Sequence, residues 1–162
     1  MNASQKFASV FVAVAIVLPS PAFGKSLSKA WNGTWQLNME KSKFSSAQYT
    51  PKSDTRTYTV AGNRLTMRAN GTNAAGTAMN WSYSAKTDGN WYPTSGNPNT
   101  DHIALTFVSP SEFKSNARLK DKPAARSTAT VSSDGKTLTI NRSILTAKGG
   151  PTDDTLVFDR TK

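Results

Sequence analysis

From Gly33 onward the chain alternates apolar and polar residues in short runs. In Arg64–Asn70 the odd positions Leu65, Met67 and Ala69 are apolar, and the even ones are polar. Ala78–Lys86 sets Met79, Trp81, Tyr83 and Ala85 against Asn80, Ser82, Ser84 and Lys86, and Ile103, Leu105 and Phe107 share one face of a third run. A period of two is the mark of a half-buried strand, because successive side chains point to opposite faces of a sheet. No stretch of this part of the chain carries the 3.6-residue repeat of a long amphipathic helix, and Ser26–Trp31 has room for one helical turn.

Turn residues punctuate these runs: Gly62-Asn63, 73–77, Asp88-Gly89-Asn90, Ser109-Pro110-Ser111, 133–136 and Lys148-Gly149-Gly150-Pro151. Glycine, asparagine and aspartate tolerate the positive φ of tight hairpins, and proline starts turns. The pattern predicts about nine strands, at 33–38, 55–60, 64–70, 78–86, 101–108, 112–119, 126–131, 137–145 and 153–160. Sequential hairpins make neighbours antiparallel, and a meander this long removes its exposed edges by closing into a barrel. The fold class expected is therefore all-β, an up-and-down antiparallel barrel.

One hairpin pattern recurs. Arg56–Val60, a turn and Leu65-Thr66-Met67 match Ser127–Val131, a turn and Leu138-Thr139-Ile140, with Val60 and Val131 separated by 71 residues and Leu65 and Leu138 by 73. Chance similarity between two Thr-rich hairpins explains this as well as a duplicated half-barrel does.

Alternation assigns an inward face to Trp35, Leu37, Tyr58, Val60, Leu65, Met67, Met79, Trp81, Tyr83, Ile103, Leu105, Phe107, Phe113, Leu119, Val131, Leu138, Ile140, Ile144, Leu156 and Phe158. Three arginines fall in the same register: Arg56, Arg142 and Arg160. A buried guanidinium needs an anionic or hydrogen-bonding partner. For Arg142 the sequence offers two readings. It meets the anionic group of a ligand whose apolar part lies on Trp81, Tyr83 and Phe107, or a bulge near residue 141 returns it to solvent.

The first 24 residues have the pattern of a secretory signal peptide: a basic start at Lys6, an apolar run from Phe7 to Leu18, then Pro19, Pro21 and the small residues of Ala22-Phe23-Gly24. The run is shorter than the ~20 residues a membrane-spanning helix needs. The expected mature domain is 25–162, in the periplasm or outside the cell. The sequence has no cysteine, which excludes disulfide staples and a lipid-anchoring cysteine. The 20 Lys and Arg against 10 Asp and Glu give a formal charge of +10. Such an excess favours anionic partners, such as an envelope surface, but the charges are scattered along strands, with one denser stretch at Lys114, Arg118, Lys120 and Lys122. Nothing in the pattern points to specific nucleic-acid binding. Strands mostly of five to nine residues, and a chain end Arg160-Thr161-Lys162 without an aromatic, argue against a membrane-spanning barrel.

The opening Gly33-Thr34-Trp35-Gln36-Leu37-Asn38, with Lys41-Ser42-Lys43-Phe44, Gly96-Asn97-Pro98-Asn99 and Asp134–Thr139, resembles small exported bacterial proteins of lipocalin-like type, and the Gly-x-Trp resembles the wider calycin group. The resemblance implies that Trp35 closes one barrel end and that an arginine of the last strand packs over it. Arg160 shares a face with Leu156 and Phe158, the register this needs.

Catalytic and metal chemistry is thinly supplied. His102 is the single histidine, and its neighbour Asp101 falls on the opposite face of a strand. Asp153-Asp154 reads as solvated turn chemistry, and Asp54, Asp88, Glu112 and Asp134 stand at or near turns rather than converging. No cofactor is expected. The sequence thus points to a non-enzymatic barrel that binds a small apolar or amphipathic molecule, or to a filled barrel that presents loops and cations to an anionic envelope polymer or a protein.

Overall fold

The computed structural model describes residues 25–147 and 150–161. The expected leader, 1–24, lies outside the described residues, as do Lys148 and Gly149 of the turn expected at 148–151.

Ten strands follow one another: β1 (Gly33–Leu37), β2 (Ser53–Ala61), β3 (Arg64–Thr72), β4 (Ala78–Lys86), β5 (Asp88–Ser95), β6 (His102–Ser109), β7 (Glu112–Leu119), β8 (Lys122–Val131), β9 (Thr137–Ile144) and β10 (Thr152–Arg160). Each pairs antiparallel with its neighbours in sequence, and β1 pairs with both β2 and β10, so the sheet closes into an up-and-down barrel. Outward positions carry rows of Thr, Ser, Asn, Lys and Arg, while most inward ones form a single apolar cluster. A membrane barrel needs the reverse, an apolar band facing outward.

The strand beyond the nine expected is β5. Its Asp88-Gly89-Asn90 looks like a turn, yet it forms a bulge, with the register shifting between Asp88 and Trp91 and Gly89 at φ 83°. Pro93 further disguises the strand, because proline supplies no ladder donor. It is tolerated because the β4–β5 ladder is limited to Ser82 with Ser95 and Tyr83 with Thr94. β8 begins at Lys122, four residues earlier than expected, because Lys120 and Asp121 make a two-residue hairpin turn with φ of 50° and 62°.

The two barrel ends differ. At one, residues 26–32 cross the opening as a strap containing a short 3-10 turn, Lys29–Trp31. Ser26 Oγ donates to Gly62 O at 2.6 Å, Ser28 N to Pro110 O at 2.7 Å, and Val60 N to Asn32 Oδ1 at 2.6 Å. Trp31 inserts beneath this strap, fully buried, against Tyr58 and Phe113 with ring centroids 5.8 and 4.9 Å away. Trp35 lies beside it, and its indole N–H donates to Trp31 O at 3.1 Å. Arg160 stacks on Trp35, its guanidinium carbon 4.1 Å from the ring centre. The same guanidinium donates to Gly135 O and Asn32 O, both at 2.5 Å, and to Ala30 O. Trp31 was not in the expected inward set, since a single helical turn shows no periodicity.

Candidate functional site

Among the described residues five connections border the opposite end and leave it open: 38–52, 73–77, 96–101, Lys120-Asp121 and, after β9, 145–147 and 150–151. Beneath it lies a cavity of about 280 Å³. Its floor is Tyr58 and Phe113, whose far sides pack on Trp31. The apolar wall adds Trp81, Tyr83, Ile103, Ile140 and Ile144. Trp81 and Tyr83 stand on one face of β4 because they are two residues apart, and their rings lie 5.9 Å apart. Around the rim come Tyr49, Asn97, Asn99, Thr100 and Thr146 from the connections, and Ser115 and Ser127 from the adjacent strands β7 and β8, hydroxyl to hydroxyl at 2.8 Å. Gly96 sets the 96–101 connection close against β4. At φ 77°, any Cβ there would lie 2.0 Å from Asn80 O, so a larger residue would push the rim outward.

Two arginines reach the cavity, and each has its own carboxylate. Arg56 donates through Nε and Nη2 to Asp54 Oδ2 at 3.0 and 2.8 Å, with both residues buried. Its guanidinium lies 4.9 Å from the Phe158 ring centre and 5.8 Å from that of Trp81. Burial works against this charge, but Asp54 and Tyr58 together outweigh it and raise the Arg56 pKa above its ordinary value. Arg142 stands directly opposite Asp154 in the β9–β10 ladder, and Nη2 donates to Asp154 Oδ2 at 2.5 Å. The other oxygen of Asp154 accepts from Ser45 N at 2.9 Å and Ser45 Oγ at 3.0 Å. Burial lowers the Arg142 pKa, opposed by Asp154. On Asp154, burial is outweighed by Arg142 and Ser45, which hold the carboxyl below its usual range. Burial pushes the Tyr58 and Tyr83 phenols up, so both remain neutral at physiological pH.

Of the residues the sequence assigned to a ligand, the structure places Arg142, Trp81 and Tyr83 in the cavity wall. Phe107 is elsewhere: it pairs with Phe113 near the plugged end, half-buried against the core, and does not line the cavity. The bulge that would turn Arg142 outward does not form, since β9 keeps continuous register with both β8 and β10 through Asn141 and Arg142. The partner the sequence left unnamed is Asp154, which is a buried strand residue and not part of a solvated turn. Asp54 is likewise a buried partner within β2. Asp101 does meet His102, Oδ1 to Nδ1 at 3.0 Å, because it precedes β6 and escapes the strand's alternation. Both side chains are about 39% exposed and stand outside the cavity lining. The rim residues Tyr49, Asn97, Asn99 and Thr100 carry no periodic signal and were missed for that reason.

No protein-family model matches the sequence, and no curated protein matches it. Solved structures do. The chain is similar to zebrafish ileal bile acid-binding protein complexed with cholic acid, at 10% identity and a TM-score of 0.53, over 82% of this chain and 99% of that one. Weaker likenesses are to lobster apocrustacyanin A1, at 15% identity and a TM-score of 0.44 over 82% and 61% of the two chains, and to EF1p2_mFAP2b bound to DFHBI, at 11% and 0.46 over 85% and 98%. At 10% identity the first likeness concerns the fold, which is a closed, lipocalin-like up-and-down β-barrel.

Proposed function

We propose that this protein is an exported, non-enzymatic barrel that binds one small amphipathic molecule in the cavity at its open end. The observation that carries the reading is the contrast within one interior. Trp31 and Trp35 fill the barrel at one end, while a mixed apolar and polar cavity of about 280 Å³ persists at the other. That size lies just below the usual range of ligand pockets, roughly 300–1,000 Å³, and the lining shares their combination of apolar walls with a few convergent polar groups. A ten-strand barrel is wider than the eight-strand kind, which already has room for either a packed interior or one small ligand, so a cavity fits its strand number. The bile acid complex of the structurally similar zebrafish protein supports a small-molecule role for such an interior. Catalysis is disfavoured by the pairing of Asp54 and Asp154 to arginines, which leaves neither poised as an acid or base.

Native mass spectrometry of the protein purified from its own host tests the proposal. The expected result is a bound small molecule that is released on denaturation. An unliganded mass, together with no binding from a panel of amphipaths, would count against it.

A second reading rests on the outer side of β7–β9, beside the cavity and sharing Ser115, Arg126, Ser127 and Arg142 with its lining. Lys114 and Arg126 flank an outer groove of about 540 Å³ that also contains Asn116, Thr128, Asn141, Ser143 and the acidic residues Asp153 and Asp154. An anionic envelope polymer would find cations there, and loss of polymer binding in a Lys114→Glu, Arg126→Glu variant is the result that would favour it.

A further inference from the structure

The cavity's two cations are already compensated, and this determines the kind of head group the site accepts. The geometry points to a neutral ligand: an amphipath whose polar end carries hydroxyl, ester or amide groups, in preference to a carboxylate or phosphate. This inference rests on the ligand-binding reading above and specifies its ligand class.

Arg56 is held by Asp54, and Arg142 by Asp154, through hydrogen bonds of 2.5–3.0 Å. Each carboxylate is nearly inaccessible, with side-chain exposures of 4% and 1%. The pairs therefore contribute two positive and two negative charges to one interior, and an incoming anion finds no net attraction. To replace either aspartate it would have to displace a built-in carboxylate, which would then be buried without its cation, and at a donor left free, such as Arg142 Nε, it would lie beside that carboxylate and be repelled by it. Removing one partner from a buried pair is costly, and so is carrying a full charge out of water. The third arginine of the lining, Arg126, belongs to the outward row opposite Asn116 and Ser143 and is exposed. What remains to meet a head group is uncharged: the phenols of Tyr58 and Tyr83, the hydroxyls of Ser115 and Ser127, and the amides of Asn97 and Asn99. A neutral head group forms hydrogen bonds to such groups at a far smaller desolvation cost than an anion.

The test compares 1-octanoyl glycerol with octanoate, which share an acyl chain, by calorimetric titration of the whole protein near neutral pH. The expected result is binding of the glyceride at least tenfold tighter than the acid. An acid that binds as tightly or tighter overturns the inference while leaving the ligand-binding reading standing. Binding of neither overturns both. The variant Asp154→Asn adds a directional check, because it frees Arg142 for a ligand anion. Octanoate affinity should then rise severalfold while glyceride affinity changes little. A folded variant with no gain for octanoate overturns the charge-compensation argument. Should that variant not fold, Asp54→Asn makes the same test at Arg56, and the wild-type comparison decides by itself.

Discussion

At the plugged end, polar groups serve the fold. Arg160 lies flat on Trp35 and gives its donors to the carbonyls of Ala30, Asn32 and Gly135, which binds the strap and the β8–β9 turn to the last strand. At the open end, Arg56 and Arg142 line a cavity that no described residue plugs and take carboxylates as partners. The same residue type thus does two things. Where the interior is filled, an arginine satisfies backbone carbonyls without any acidic residue. Where it is hollow, the chain supplies an aspartate for each arginine, as burial of a charge next to a cavity requires.

The largest effect should come from breaking the plug. Trp35→Ala removes a fully buried indole and should cost about 3–5 kcal/mol in urea melts, as other large-to-small core changes do. A loss under about 1 kcal/mol would show that the strap end does not carry the stability assigned to it.

Next comes the open end's own pair. Asp154→Asn should lose roughly 2 kcal/mol at neutral pH, because Arg142 then keeps only a neutral partner. The sign of the pH effect follows from the lowered pKa of Asp154. Its contribution is fully present above its unfolded pKa of about 4 and is lost as pH falls through the lower folded value. The variant should accordingly lose less stability than wild type as pH falls below about 4. Parallel acid limbs in chemical melts of the two proteins would contradict this.

A smaller loss, about 1–2 kcal/mol, is expected for Arg160→Lys, since an ammonium reproduces neither the planar stack on Trp35 nor three directed donors. Ligand affinity should be unchanged in that variant, which separates the two ends. The least effect on stability, within ~1 kcal/mol, should follow Trp81→Ala, because the partly buried indole borders a cavity. Ligand affinity in the same variant should fall by roughly tenfold.

The contrast between ends also explains what could be read from the sequence. Alternation in β3, β4, β6 and β9 shows in the residue pattern, because each has one buried and one solvated face. The barrel's closure follows from the turns between them. β5 stayed hidden because its bulge glycine and Pro93 look like punctuation. The arginines could be seen as inward cations, whereas their partners could not. Matching Arg142 to Asp154 requires the β9–β10 register, and a long connection between those strands leaves that register unspecified by residue type. Trp31 and the rim residues lie outside strands, where position depends on tertiary contacts rather than on any period.

The four tryptophans offer the most direct test of the division between a filled and a hollow end. Trp31 and Trp35 lie in the plug, Trp81 in the cavity wall, and Trp91 on the outer surface, stacked 4.4 Å from Arg118. Each indole N–H gives its own signal in a nitrogen-15 correlation spectrum. Titration with 1-octanoyl glycerol should shift the Trp81 signal and leave those of Trp31, Trp35 and Trp91 in place. Shifts at Trp31 and Trp35, or a Trp81 signal that stays fixed while the ligand binds, would contradict the account.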